Sequence, residues 1–90
     1  MEDRTRIDKW LWHARFYRTR ALAQSAAGTG LIRLNGQRVT KPSASVGPRD
    51  ILTLPQGSAV VVVRVLGVAT RRMGAPHARL LYEILPETPA

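Results

Sequence analysis

Three arginines, Arg15, Arg18 and Arg20, fall within one six-residue stretch. A guanidinium carries a planar fork of donors that grips phosphate oxygens in pairs and stacks on bases, which a lysine ammonium does not do. Arg18, Thr19 and Arg20 also precede or open an expected helix, so exposed amides and the positive end of its dipole point to the same place. Such convergence favours phosphate over base edges. Arg33, Arg38 and Lys41 follow, on or beside an expected hairpin. Trp10, Trp12, Phe16 and Tyr17 interleave with the basic set. At least one of them belongs to the core, which leaves Trp12 or Tyr17 to offer a stacking face to an unpaired base.

Catalysis is poorly supplied by the same inventory. His13 and His77 lie 64 positions apart, with no cysteine and no carboxylate at ligand spacing, so neither a metal site nor any cofactor is expected. Each histidine reads as a surface residue, with a nucleic-acid contact as the alternative for His13. No serine sits in a Gly-x-Ser-x-Gly turn. Asp8 and Asp50 could be imagined as an acid/base pair, yet Asp8 suits a helix cap and Asp50 the start of a strand. Gly28-Thr29-Gly30 follows a helix instead of preceding one, where the dipole repels phosphate, so it reads as a stop signal.

Composition points the same way. The chain has 90 residues, with 14 Lys and Arg against 6 Asp and Glu, a formal net charge of +8. At this size folding buries only roughly 60–65% of the unfolded surface, enough for one thin-cored domain and too little for a two-domain enzyme. Residues 1–45 hold nine basic and three acidic residues, and residues 46–90 hold five and three. Twelve of the fourteen basic residues are arginine. An Arg-rich half-chain is a prior for nucleic acid, with an anionic membrane surface as the weaker competitor. Zero cysteine excludes disulfides and thiolate metal sites and fits a reducing, cytoplasmic setting. No apolar run reaches the roughly 18 residues a membrane helix needs, and Met1-Glu2-Asp3 opens acidic, without a signal-peptide core.

The elements that must position these residues follow from spacing. Thr5 and Asp8 suit the two halves of a helix cap, and Ile7, Leu11 and Ala14, with Trp10 beside them, form one apolar stripe. Lys9, His13 and Arg15 fall at its margin or away from it, and the helix is expected to stop near Phe16-Tyr17. A second helix, capped by Thr19, runs through Ala27 until Gly28 and Gly30 end it. Beyond Gly30 the period becomes that of strands. Leu31 to Val39 is a hairpin turning at Asn35-Gly36, the strongest short signal for a tight turn. Residues 43–50 read as loop around a buried Val46, and 50–54 as a strand. Residues 55–58 form a turn, and the Val-rich stretch Ala59 to Ala69 a long strand. Thr70 to Ala75 is a loop. Pro76 opens a short helix over His77 to Leu85, with Leu80, Leu81, Ile84 and Leu85 as its apolar face and strand as the competing assignment. The class is α+β: two packed N-terminal helices on a small, mostly antiparallel sheet, with a short C-terminal helix.

Several of these segments together match a known pattern. Arg6-x-Asp8-x-x-Leu11, Arg15-x-x-Arg18-Thr19-Arg20-x-x-Ala23, Gly30-x-Ile32-x-x-Asn35-Gly36, Lys41-Pro42-Ser43 and Asp50-Ile51 resemble the RNA-binding domain named after small-subunit ribosomal protein S-four. The stretch from Leu11 to Ala23, and Leu80-Leu81-Tyr82-Glu83, are more narrowly similar to the bacterial fifteen-kilodalton heat-shock protein family. The resemblance covers about residues 5–85 and implies two helices on a small curved sheet (the αL motif) that docks structured RNA. It divides the chain into a flexible N-terminus (1–4), an RNA-binding core (5–54), a strand, loop and short helix completing the same domain (55–85), and a tail (86–90). The implied RNA face is Arg6, Lys9, Arg15, Arg18, Thr19, Arg20, Arg33, Asn35, Gly36, Arg38 and Lys41. The implied partners are ribosomal RNA and the large ribosomal subunit, with transfer RNA a further candidate, for a monomer that serves a heat-shock or translation-recycling role. Members of that family usually continue into a long charged helix. This sequence stops at Ala90 after Pro86 and Pro89, so any grip from such a tail is not expected here.

Two other readings compete. The same domain type is fused to pseudouridine synthases and some tRNA synthetases, so the chain could be a detached targeting module for an RNA-modifying enzyme. A helix-turn-helix DNA binder fits less well, because that motif leaves its second helix free for a major groove. Here the second helix leads straight into an Asn-Gly hairpin.

Overall fold

The computed structural model describes residues 3–86. β1 (Thr5–Arg6) runs directly into α1 (Ile7–His13), and a six-residue turn leads to α2 (Arg20–Gly28). Four strands follow: β2 (Arg33–Leu34), β3 (Gln37–Arg38), β4 (Ser45–Val46) and β5 (Ile51–Gln56). Then come β6 (Ala59–Val65), α3 (Ala75–Ala78), a 3-10 turn (Arg79–Leu81) and β7 (Tyr82–Leu85). The main sheet has the order β3-β2-β5-β6-β7, and β1 pairs with β4 in a separate ribbon. Every pairing among the described residues is antiparallel. The core lies between the helices and the sheet. Ile7, Trp10, Leu11 and Ala14 face Ala23 and Ala27, with Ile32, Leu52, Leu54, Val63 and Val65 beneath them. The α+β class is as expected.

The first helix departs from expectation at both ends. Thr5 does not cap it, since Thr5 is a strand residue opposite Val46, and the capping position is Arg6, without a side-chain bond. The first amides are satisfied from the returning chain, with Ile7 N–H donating to Ala44 O (2.7 Å) and Asp8 N–H to Pro42 O (3.3 Å). The helix also ends earlier than Phe16-Tyr17. Arg15 turns into the left-handed region at φ 66°. Phe16 N–H then reaches back to Leu11 O, and Arg15 N–H to Trp12 O, both at 3.0 Å. That pair of hydrogen bonds closes a helix end tightly, and it folds Phe16 onto the Trp10 ring at 6.0 Å.

The second helix and the hairpin match the sequence reading. Thr19 Oγ1 accepts the Leu22 N–H at 3.1 Å, and Gly30 leaves the helix at φ 82°. A Cβ at Gly30 would stand 3.1 Å from the flexible Arg38 side chain, so it is the backbone angle more than space that favours glycine there. Asn35 (φ 51°) and Gly36 (φ 84°) make the two-residue turn between β2 and β3.

Three later segments differ. Residues 43–50 contain β4, placed by the buried Val46. β5 runs on through Pro55 to Gln56. The two-residue β2 pairs only Leu52 and Thr53, so the far end of β5 has an open side where proline is tolerated. β6 stops at Val65 rather than Ala69. The expected helix over His77 to Leu85 exists only as α3 and the 3-10 turn, and Tyr82–Leu85 is the edge strand instead. Its expected apolar face is not buried, with Leu80 70% and Ile84 56% exposed. The strand wins because β6 has a free edge and Tyr82 reaches Phe16 at 4.6 Å and Trp10 at 6.5 Å. The expected tail residues 87–90 and residues 1–2 lie outside the described residues.

Candidate nucleic-acid interface

The centre of the basic face is an acid. Asp8 is fully buried, and a buried carboxylate persists only with partners. Arg6 grips it with both branches, Nε to Oδ1 at 3.1 Å and Nη2 to Oδ2 at 3.0 Å. The Lys9 backbone N–H donates at 2.7 Å, and Arg20 Nη2 stands 3.9 Å away. Asp8 is therefore a clamp between the two helices and not the helix cap that its position suggested. Arg6 and Arg20 keep 45% and 43% of their side chains exposed, so each is held on one side and open on the other.

The remaining expected contacts divide by what already engages them. Lys9 and Arg18 make no side-chain hydrogen bond or ion pair among the described residues, and Arg18 is exposed. Arg15 is exposed and donates to Met73 O at 2.9 Å. Thr19 is exposed but spends its hydroxyl oxygen on the α2 cap. The amides of Arg20 and Ala21 have no partner among the described residues, which leaves the start of α2 open to an anion. The hairpin side holds Arg33, which reaches Gly36 O at 3.4 Å, and Arg38, whose stem lies over Gly30. Arg38 and Lys41 line an open groove of about 390 Å³ with Leu34, Gln37, Thr40 and Ser43. Pro42 O bonds to Asp8 N–H, and Gly28 lies against Pro42, so this return segment meets the helix pair beside the clamp.

Asn35 is a structural residue by its contacts. Its Oδ1 accepts the Ile51 N–H at 2.8 Å, and its Nδ2 donates to Asp50 at 3.2 Å. Gly36 is exposed and serves the turn angle. Asp50 does not form a pair with Asp8. It accepts from Arg4 (3.2 Å) and from the Gly47 N–H (2.9 Å), and Arg4 also bonds Ser45 Oγ at 2.8 Å. Arg64 is matched by Glu83 across the sheet at 2.7 Å.

The histidine and aromatic expectations need correction. His13 is neither a surface residue nor an accessible contact, being 1% exposed. Its Nδ1 has no partner, and the Ala69 backbone lies beside its ring. Burial holds its pKa below the ordinary histidine value, helped by the charges of Lys9, Arg20 and Arg72. Trp10 is core, with its indole N–H on Gly67 O at 2.8 Å. Trp12 is covered on one face by Arg72, 5.5 Å from the ring centroid. Tyr17 is half-buried beside a cleft lined by Phe16, Leu54, Pro55, Gln56 and Val61, and burial raises its pKa. Sequence reasoning passed over Arg72, whose partner Trp12 lies sixty residues away; the Arg71-Arg72 pair was the one available signal. Among the described residues no group of three or more His, Cys, Asp or Glu could hold a metal ion, and no helix is long and apolar enough to cross a membrane.

Residues 5–52 match the S4 domain. This chain belongs to the S4-domain family. It is 47% identical over 78 residues to a heat shock protein 15 homologue of Aeromonas salmonicida, covering 87% of this chain and 58% of the relative. Heat shock protein 15 of Escherichia coli K12 is 47% identical over 83 residues, covering 92% and 62%. The S4-domain chain therefore spans less than two thirds of the length of these two relatives. A Bacillus subtilis relative, an RQC P-site tRNA stabilizing factor, is 37% identical over 84 residues, covering 91% of this chain and 93% of that one. The trimeric structure of Vibrio cholerae heat shock protein 15 superimposes with a TM-score of 0.85 at 42% identity, covering 92% of this chain and 83% of that one. The S4 family and the heat shock protein 15 likeness are those that the sequence motifs implied.

Proposed function

We propose that this chain is a non-enzymatic, cytoplasmic RNA-binding protein that docks on structured ribosomal RNA of the large subunit, through phosphates and shape. The observation that carries the reading is the clamp: buried Asp8 holds Arg6 and Arg20 beside each other with their outer sides open. Lys9, Arg15 and Arg18 and the open start of α2 extend the same face. Paired guanidinium groups fixed before binding lose less side-chain freedom when they engage phosphate. The names of the relatives, a heat shock protein and a P-site tRNA stabilizing factor, support a role in rescuing or recycling stalled translation. Transfer RNA is a second candidate ligand. A monomer is the binding form in this reading, while the Vibrio cholerae relative is described as trimeric.

Filter binding to large-subunit ribosomal RNA across a salt series tests this. Neutralising about five to seven phosphates makes affinity fall steeply with salt. Replacing Arg15, Arg18 and Arg20 together by Ala is expected to weaken binding and flatten the slope. Unchanged affinity in the triple variant, with its circular dichroism intact, overturns the site, and duplex DNA competing as well as the RNA overturns the ligand.

A further inference from the structure

The loop between β6 and α3 is stitched to the end of α1 at every turn of its path. Gly67 O accepts the Trp10 indole N–H at 2.8 Å, and the Ala69 backbone lies beside the His13 ring. Arg72 Nε donates to Trp12 O at 3.2 Å while its guanidinium lies over the Trp12 ring. Met73 O accepts from Arg15 at 2.9 Å. These contacts fix Arg72 where a solvated loop arginine would wander, and they bring Arg71 with it. Stacking on an aromatic face also leaves the outward N–H groups of a guanidinium free to donate.

Three cations from three elements act on His13 as like charges: Lys9, one turn before it on α1, Arg72, which bonds the carbonyl of its neighbour Trp12, and Arg20 on α2. The nearest acid, Asp8, is already engaged by Arg6 and Arg20. No Asp or Glu occurs between Asp50 and Glu83, so the loop brings no counter-charge of its own. Beneath them the His13 Nδ1 is buried without a partner. Of the three cations only Arg20 meets a carboxylate, at 3.9 Å and one that Arg6 already grips with two bonds, so the set is one that an anion from outside completes.

We infer that this loop is a second half of the interface, with Arg72, Lys9 and Arg20 forming a phosphate-binding site over His13 and Arg71 adding a neighbouring contact to the RNA backbone. The inference rests on the RNA-binding reading above. It extends the contact surface from the two helices to residues more than fifty positions further along the chain, and it assigns Trp12 the task of holding Arg72 instead of stacking on a base.

The test compares the Arg71→Gln/Arg72→Gln double variant and Arg72→Lys with the unaltered chain, using large-subunit ribosomal RNA across a salt series. The double variant is expected to lose roughly tenfold in affinity and about two contacts' worth of salt slope, whereas Arg72→Lys keeps the slope. Inorganic phosphate supplies an independent readout by nuclear magnetic resonance of the His13 ring. In the unaltered chain a bound phosphate raises the His13 pKa, and in Arg72→Gln that rise is reduced. Unchanged affinity and slope in the double variant, while Arg15, Arg18 and Arg20 to Ala abolish binding, overturns the inference and leaves the RNA reading standing. Absence of salt-dependent RNA binding by the unaltered chain overturns both. The bonds from Trp10 and Arg15 hold the loop in place in these variants, and intact circular dichroism verifies it.

Discussion

Asp8 and Asp50 each gather arginine, and the fold spends different numbers of its donors at the two places. Asp8 is fully buried, and its partners Arg6 and Arg20 stay nearly half exposed. Asp50 is 16% exposed at its side chain and shares its oxygens among Arg4, Asn35 and the Gly47 amide. Arg4 in turn divides its donors between Asp50 and Ser45 in three bonds, although 38% of its side chain stays exposed. The first network presents cations outward from a rigid base. The second closes a corner, joining the β1–β4 ribbon to the base of the hairpin and using up the charge it contains. Gly47 shows how closed that corner is, because a Cβ there would meet Asp3 O at 2.9 Å and Arg4 at 3.0 Å. Counting basic residues therefore overstates an interface. What matters is how many of an arginine's donors the fold already spends: three bonds at Arg4, two at Arg6, and at Arg20 only the 3.9 Å pair.

The sharpest way to break the comparison is to remove each carboxylate. Asp8→Ala takes charge-assisted bonds from Arg6 and a helix-terminal amide and the 3.9 Å ion pair from Arg20, and such bonds are worth about 1.5–3 kcal/mol each to stability. We expect a loss of roughly 2–4 kcal/mol in urea unfolding, together with weaker RNA binding because Arg6 and Arg20 lose their common anchor. Asp50→Ala is expected to cost about 1–2 kcal/mol, with RNA affinity unchanged once the protein is folded. Equal effects of the two changes on RNA affinity at matched folded fraction would erase the distinction.

How much of this was legible in the sequence depends on range. Thr19 as a cap, Gly30 as a helix stop and Asn35-Gly36 as a turn are local devices, and the structure contains all three. The misread segments are those decided by distant partners. Thr5 has the chemistry of a cap, but Val46, forty-one residues on, recruits it into a ribbon. Residues 82–85 carry enough leucine and isoleucine for a helix, yet the free edge of β6 and the Trp10–Phe16 rings select a strand. His13 looked marginal to the apolar stripe because the loop that buries it follows more than fifty residues later. The Asp8 clamp was half visible: the Arg6-x-Asp8 motif could be read, but Arg20 joins it only through the packing of α2 on α1.

A smaller effect distinguishes the two arginines at the front of the chain. Arg6→Ala is expected to lower RNA affinity by several-fold, since it removes an outward-facing cation. Arg4→Ala is expected to leave RNA affinity within about twofold and to cost roughly 1 kcal/mol in stability, because three bonds within the chain already engage its donors. Filter binding and urea unfolding on the same two samples separate them. The pH dependence adds another axis. The folded state holds the His13 pKa below that of the unfolded chain, so the unfolded state binds the extra proton first as pH falls. Stability is then full above the ordinary histidine pKa of about 6.5 and is lost as pH drops below it toward the folded value. His13→Leu is expected to flatten that acid-side decline in the unfolding midpoint, and an unchanged decline would assign it to other groups.

Arg15 yields the smallest expected effect and separates conformation from charge most cleanly. It occupies the left-handed position that closes α1, where a side chain costs about 1–2 kcal/mol relative to glycine. In return its guanidinium reaches Met73 O at 2.9 Å, an exposed charge-assisted bond that recovers part of that cost. Arg15→Gly relieves the backbone and deletes the bond, so stability is expected to change by less than about 1 kcal/mol and, if at all, to rise. RNA affinity is expected to move the other way, falling with about one contact's worth of salt slope. Opposite signs in the two measurements would mean that a strained residue is kept at this turn for the cation it presents. A fall in both would mean that the bond to Met73 holds the turn together, and that Arg15 belongs with Arg4 among the arginines spent on the fold.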